Sequence, residues 1–376
     1  RAAAAAAAAG GRGSPPCCLV LSNDDGVEAP GLLAAARHLR QSTGLRVVVV
    51  APDRDWSGAG MALTLRRGMP LAERPDLGPD TYSLGGTPAD CALCALEPGV
   101  GLVAALGLAP ALAVSGLNAG PNLGFDVMFS GTVGAARTAA MFGVPSVAAS
   151  LASASAPHDF AGAAAGLGEL VDALLRGLAP TSDASDPAPA PGYPRPDRAP
   201  GGAERRYAPG GFELQRLSGI TPAESAADAA AARRLLGAAF RRADVFLNVN
   251  VPPGWKLSSG GAFAPAGLGV SQYRGTLKVA GADGQVLEEP PPRQPGAPLP
   301  AAYFTGSGEY LVDPAAGCDI TTVKSGRAAV STLQTWPEGH ALCLSEEAMA
   351  AAAEPAADPA AQGLPAWITD LAPRPS

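Results

Sequence analysis

The sequence predicts an α/β fold built on a mostly parallel sheet, and three observations carry that expectation. Cys17 to Ser22 and Leu45 to Ala51 are short continuous apolar runs, the latter β-branched from Val47 to Val50, as in strands buried on both faces. Between them, Pro30 suits a first helical position and Leu32 to Leu39 continues the helix, so the chain opens as a right-handed βαβ unit. Third, the stretch from Ala111 to Thr132 starts as an apolar strand over Ala111 to Val114. It then turns into a Gly-, Asn- and Ser-rich loop and meets a helix-like run, Val133 to Phe142. A strand that ends in such a loop and feeds a helix N-terminus is where α/β proteins hold anions.

The remaining elements follow in order. Residues 61–85 read as short strands with turns at Arg67-Gly68 and Gly78-Pro79. Thr87-Pro88-Ala89-Asp90 is a helix start with a cap, a proline at the first position and a carboxylate at the third; that helix runs to about Leu96. Gly143 to Ala149 is the next strand, and Phe160 to Leu178 an amphipathic helix. Ala179 to Gly211 has almost no large apolar residue and reads as a disordered insert. A helix over Pro222 to Phe240 leads to a strand, Val245 to Val251, stopped by Pro252-Pro253. Gly267 to Val279 and Ala301 to Val312 supply β-hairpin material around a proline-rich loop, 287–300. Asp319 to Val330 alternates Thr and Val around a glycine turn. The expected organisation is a low-complexity tail over 1–16, one domain over 17–335, and a C-terminal tail over 336–376 with a short helix at Ala366 to Leu371.

The bulk numbers exclude some classes. A chain of 376 residues with 47% hydrophobic content supports one large α/β domain or two smaller ones. A net charge of −7 argues against a general binder of nucleic-acid polymers, and no apolar run suggests a membrane span. Cys17, Cys18, Cys91, Cys94, Cys318 and Cys343 read as small buried hydrophobes, since Cys91-x-x-Cys94 has no second pair to complete a zinc site. The opening Arg1 and its eight alanines fit the end of a transit peptide or a plain alanine-rich tail. A soluble protein is expected, cytoplasmic or, with a transit peptide, organellar (plastid).

The chemistry gathers at strand ends. Asp24-Asp25 follows the first strand; two adjacent carboxylates repel unless protons or a cation intervene, and Mg²⁺ or Mn²⁺ takes such oxygen ligands. A surface Asp-Asp-Gly turn is the plainer alternative. Ser57, after the second strand, offers a neutral ligand, a phosphate donor or simply a turn. Asn118 follows the central strand with an amide oxygen, and Asn122 with Ser130-Gly131-Thr132 offers donors to phosphate. Trp56 covers its loop or stacks on a base, with covering the commoner use of an aromatic. Only His38, His158 and His340 are present, outside these loops, and there is no Gly-x-Ser-x-Gly elbow, P-loop or Gly-x-Gly-x-x-Gly after the first strand. Hydrolysis at this sheet edge would therefore use metal-activated water, with Asp24 or Asp25 taking its proton.

The same residues resemble a known family. Leu21 to Gly31, Ala51 to Gly58, Gly86 to Cys91, Val114 to Gly124 and Ser130 to Ala136 are similar to the motifs of the survival protein SurE family, as are Leu247 to Pro252 and, more weakly, Cys318 to Gly326. The resemblance implies a Rossmann-like, mostly parallel sheet with helices on both faces and a β-hairpin extension. It implies a metal-dependent hydrolase of nucleoside 5′/3′-monophosphates. The alternatives are a broad-specificity acid phosphatase or exopolyphosphatase, or a catalytically weak nucleotide-binding stress protein. It places metal ligands on Asp24, Asp25, Ser57 and Asn118 and phosphate contacts on Asn122, Ser130, Gly131 and Thr132, and it implies a homodimer or homotetramer. This chain departs from the family at Ala59-Gly60-Met61, where Ala-Ser-Asn is usual, and in the 179–211 insert.

Overall fold

The computed structural model describes residues 15–153, 158–178, 228–274, 277–280, 286–287, 302–305, 309–312, 317–337, 340 and 343–371. The expected insert at 179–211 and the proline-rich loop beyond Leu287 lie outside the described residues, as do residues 1–14 of the expected N-terminal tail.

The first strand, β1 (Cys17–Ser22), is the pivot of the sheet. It pairs in parallel with β2 (Arg46–Pro52) on one side and with β5 (Ala109–Ala119) on the other. Between β2 and β5 come β3 (Leu71–Glu73) and β4 (Thr81–Leu84); β6 (Ser146–Leu151), β7 (Val245–Val251) and β8 (Phe263–Pro265) follow. With β14 (Ala328–Gln334) they form one nine-stranded sheet in the order β3-β4-β2-β1-β5-β6-β7-β14-β8. Strands β4, β2, β1, β5, β6 and β7 run parallel, while β3 and β14 are antiparallel to their neighbours β4 and β7. The chain steps outward from β1 to β2 and β4, then returns to the far side of β1 to place β5. That reversal puts a topological switch point between β1 and β5, where the carboxyl ends of the strands leave a crevice. The expected hairpin material pairs as β9 (Ser271–Arg274) with β13 (Glu309–Val312), and β10 (Leu277–Ala280) with β11 (Val286–Leu287) and β12 (Ala302–Thr305), all antiparallel.

The strands alternate their side chains between two apolar layers, because successive residues of a strand face opposite ways. Leu19 and Leu21, with Val47 and Val49, join the layer containing buried residues of α1 (Pro30–Ser42) and α5 (Ala161–Leu178). Cys18 and Val20, with Val48 and Val50, join the layer containing Cys91 and Ala95 of α2 (Pro88–Leu96) and Val103 of α3 (Leu102–Ala105). Ala139 of α4 (Gly131–Met141) completes that second layer. All six cysteines are free thiols, and burial pushes Cys18 up to about 12 and raises Cys91 well above the usual thiol range. Among the described residues no helix is long and apolar enough to cross a membrane.

Several boundaries differ from the sequence reading. The region 61–70 forms no strand. Its backbone is tied to the start of α2: Asp90 accepts from the Thr64 amide at 3.1 Å, and the Thr87 hydroxyl donates to the Ala62 carbonyl at 2.5 Å. These side-chain bonds take groups that a strand ladder would otherwise use. Helix α4 starts two residues before Val133 because Ser130 caps it, its hydroxyl accepting from the Val133 amide at 3.1 Å. The described part of the helix expected over 222–240 is α6 (Ala229–Arg241), capped by Asp228; residues 222–227 lie outside the described set. Asp319 to Val330 divides into α7 (Asp319–Lys324) and the start of β14, and Gly326, at φ +83°, makes the turn between them.

The segment 336–376, expected as a tail, enters the core over its described length. Following α8 (Glu346–Ala350), helix α9 (Ala366–Leu371) buries Trp367 completely, 5.4 Å from the ring of Phe240 on α6. Leu364, Ile368 and Leu371 fill the same layer, and Arg233 of α6 reaches Glu354 at 2.7 Å and Asp370 at 2.8 Å. The low overall hydrophobicity of this alanine- and proline-rich stretch hides a few large side chains placed at one helical face. Trp367→Ala is expected to destabilise the fold by about 3–5 kcal/mol, read as a shift in the urea midpoint. An unchanged midpoint would show that α9 lies outside the cooperative unit.

Candidate functional site

The crevice between β1 and β5 collects the oxygen-bearing residues. Asp24 and Asp25 follow β1, Ser57 lies in the loop after β2, and Asn118 is near the end of β5, so three adjacent strands deliver them to one edge. The β1 turn is closed by Asn23, whose side-chain amide donates to the Gly26 carbonyl at 2.9 Å. Its carboxamide oxygen is buried with no partner. Asp24 is 3% exposed, and its backbone carbonyl accepts from the Trp56 amide at 2.8 Å, which sets the β2 loop against it.

The N-terminus of α4 faces Asp24. The Thr132 hydroxyl donates to the Asp24 carboxylate, and the Thr132 backbone amide adds a second bond. Gly131 permits this approach: a Cβ there would sit 2.7 Å from the Asp24 Cβ and 2.9 Å from its Oδ2. A carboxylate at a helix N-terminus gains from the unpaired amides and the helix dipole. Even so, burial raises Asp24 above the usual carboxylate range, with the Thr132 bonds opposing the rise. Asp25 is pushed up to about 6, first by burial and then by the charge of Asp24, while the Ala119 amide donates to its Oδ2 at 3.1 Å. Neither carboxyl forms an ion pair among the described residues.

Asn118 lies where β5 loses register with β6, between Ser115 and Asn118. Gly116, at φ +126°, makes that irregularity, and a Cβ on it would lie 2.1 Å from the Ala149 carbonyl. The Asn118 amide nitrogen donates to Gly120 O at 2.9 Å, which fixes its flip and places its oxygen 3.3 Å from the Thr132 hydroxyl oxygen. Ser57 is exposed and donates through its amide and its hydroxyl to Asp55 Oδ1, each at 2.7 Å, so its oxygen keeps free lone pairs. Asp24 and Thr132 are thus joined directly, Asn118 lies beside Thr132, Asp25 is bonded to the next residue of β5, and Ser57 stands on the neighbouring loop. Among the described residues no group of three or more His, Cys, Asp or Glu gathers as a metal cluster. The donor set is two carboxylates supplemented by neutral hydroxyl and amide oxygens. That composition suits a hard divalent cation that keeps part of its water.

The phosphate candidates are more occupied. Ser130 spends its hydroxyl on the α4 cap, and Thr132 spends its own on Asp24. Asn122 is buried, and its side-chain amide donates to Ser150 Oγ at 2.8 Å. Asn122 also shows what the sequence reading missed. Its carbonyl accepts from the side chains of Asn248 and Asn250, each at 2.9 Å, and its amide donates to Asn250 at 2.8 Å. Two asparagines spaced two apart on the fully buried β7 were the available signal, since such residues must find partners on one face. Asp319 was also missed as an anchor: its carboxylate accepts from the amides of Gly124 and Gly269, both at 2.8 Å, and of Ile320 at 2.9 Å. It holds the loop between β5 and α4 in place from the far end of the chain.

With that geometry in hand, the comparisons are decisive for the family. The family model described as Survival protein SurE matches residues 19–267. The chain belongs to the survival protein SurE family. The 5′-nucleotidase SurE of Geobacter metallireducens is 41% identical over 161 residues, covering 43% of this chain and 60% of that protein. The protein of the same name from Anaeromyxobacter dehalogenans strain 2CP-C is 48% identical over 144 residues, 38% of this chain and 52% of its own. That of Alkalilimnicola ehrlichii is 44% identical over 161 residues, 43% and 58% respectively. The chain therefore spans only a little over half the length of the SurE relatives it matches. The crystal structure of the SurE protein from Aquifex aeolicus shares the fold, with a TM-score of 0.53 at 23% identity, over 85% of this chain and 94% of that one.

Asp319→Ala would leave three backbone amides unpaired, two of them in separate loops. It is expected to cost about 2–3 kcal/mol and to speed hydrogen exchange at Gly124 and Gly269 well before global unfolding. Unchanged exchange at both glycines would remove Asp319 as the anchor.

Proposed function

We propose that this chain is a metal-dependent phosphomonoesterase that hydrolyses nucleoside 5′/3′-monophosphates to nucleoside and phosphate. One observation carries the reading: two adjacent desolvated carboxyls sit at the switch point of a parallel sheet, beside a helix N-terminus, and neither forms an ion pair among the described residues. Such a pair is stabilised by a bound cation. The name that the relatives carry, 5′-nucleotidase SurE, supports the substrate class.

Asp24, Asp25, Ser57 and Asn118 would hold the cation, Mg²⁺ or Mn²⁺. When bound, the cation supplies positive charge to the phosphoryl oxygens and lowers the pKa of water. The chain's own residues do the rest. Thr132 orients the Asp24 carboxylate through its hydroxyl and amide, and Ala119 orients Asp25. An ionised carboxylate of this pair accepts the proton of the attacking water. The dipole of α4 favours negative charge at its start, where Gly131, lacking a side chain, lets the Asp24 carboxylate lie against the helix N-terminus. Contacts from Ser130, Thr132 or Asn122 side chains to phosphate would replace bonds these groups already make within the protein.

Phosphate release from 5′-AMP, 3′-AMP, polyphosphate and p-nitrophenyl phosphate is expected to require Mg²⁺ or Mn²⁺, to stop with a chelator and to be led by the nucleotides. Asp24→Asn and Asp25→Asn should each lower kcat/KM by about 10²- to 10⁴-fold and weaken calorimetric Mn²⁺ binding, with melting preserved. Full activity in a chelator, or wild-type Mn²⁺ binding in both variants, would sink the metal assignment. Polyphosphate turnover exceeding nucleotide turnover would reassign the substrate.

A further inference from the structure

The loop between β5 and α4 carries a feature that the phosphate chemistry does not use. Phe125 is 48% exposed, Met128 61% and Phe129 56%, although Phe125 and Met128 lie in a short 3₁₀ turn (Gly124–Met128) that Phe129 ends, at the entrance to α4. Phe125 and Phe129 pack edge to face, with ring centres 5.4 Å apart. Among the described residues they are the only aromatic side chains that are large, apolar and exposed.

Exposure here does not mean a loose loop. The Gly124 amide is held by Asp319 at 2.8 Å, and the Phe125 amide by Ser271 Oγ at 3.0 Å. The Phe129 amide donates to Asp126 O at 3.0 Å, and the Phe129 carbonyl accepts from Gly60 of the β2 loop at 2.8 Å. A backbone tied to the rest of the fold at three points, and closed by one bond of its own, presents two aromatic rings to solvent. Buried apolar surface stabilises a protein, so a rigid loop that displays rings instead has a ligand as its natural cover.

The position says which ligand. Phe129 is two residues from Gly131, which touches Asp24, so roughly 7 Å of chain separates the ring's backbone from the anion site. A nucleotide bound by its phosphate at Asp24, Asp25 and the start of α4 has this loop within reach of its nucleoside. The other aromatic at the rim, Trp56, is taken: the Arg54 guanidinium lies over its ring, 4.5 Å from the centre. We propose that Phe129, supported edge-on by Phe125 and flanked by Met128, is the platform on which the nucleobase of the substrate stacks. This rests on the nucleotidase reading above and deepens it. Every base has a π-face, so a stacking platform without hydrogen-bonding groups accepts all bases and favours the larger purines.

The test compares 5′-AMP with ribose 5-phosphate, which keeps the phosphoester and lacks the base. Both are measured with Mg²⁺ in the wild type, F129A and F129Y, with calorimetric binding of each alongside turnover. The expected wild-type kcat/KM ratio favours AMP, and F129A lowers that ratio by about 5- to 100-fold, chiefly through KM, while F129Y retains it. Phe129 is more than half exposed, so the variants should fold, and their melting temperatures check this. Turnover of both compounds at equal efficiency, or a ratio unmoved by F129A, overturns the platform and leaves the phosphatase reading standing. No turnover of either compound refutes the phosphatase reading, and calorimetry then decides the platform. AMP binding tighter than ribose 5-phosphate and weakened in F129A supports it, and equal or absent binding overturns it. Loss of an oligomer in F129A by sedimentation, with the AMP preference intact, would assign the rings to a second copy of the chain and overturn the proposal.

Discussion

The structure depends on how Asp24 is kept in place. A carboxylate at 3% exposure is costly unless its surroundings compensate, and here the compensation comes from one helix end. Thr132 supplies a hydroxyl and an amide, and Gly131 supplies the absence of a side chain. That requirement dictates the position of α4, the capping by Ser130 and the route of the loop that joins α4 to β5. It also leaves the pair Asp24 and Asp25 short of positive charge, which is the chemical character of the site.

Much of this was legible in the sequence because the βαβ grammar is local. Apolar runs ending at Ser22 and Ala51 had to be buried parallel strands, and strand order then forces their carboxyl ends together. Asp24, Asp25, Ser57 and Asn118 follow from that alone as neighbours. The strand Val245–Val251 and the helices at 161–178 and 366–371 were readable for the same reason, from periodicity over a single element. What stayed hidden depends on tertiary pairing. Region 61–70 looked like strands, but Asp90 and Thr87 claim its backbone. The spent state of Asn122 depends on Ser150, Asn248 and Asn250, the latter two more than 120 positions away. The burial of Trp367 depends on Phe240, in a stretch whose average composition resembles a tail.

The family match and the fold also divide the chain differently. The match to the SurE model ends at residue 267, yet β14 pairs with β7 along its length and α9 closes one apolar layer. The part of the sequence that the family model matches is therefore completed by segments beyond it. The distal segments need only supply apolar volume and a few anchoring groups, which many sequences satisfy.

Asp319 connects these two parts, and its reach has a consequence for how the molecule assembles. The bond from Gly124 to Asp319 closes a loop of 195 positions. Contacts of such separation form late, because the closure entropy comes due before the contact rewards it. The β1–α1–β2 unit and the start of α4 are much closer in sequence and can organise first. The bond that sets the floor of the crevice, Thr132 to Asp24, closes 108 positions, a shorter closure than the one that fixes its rim. On the ribosome, the aromatic loop at 124–129 emerges long before Ser271 and Asp319, so for that interval its Gly124 and Phe125 amides lack the anchors they have in the finished fold.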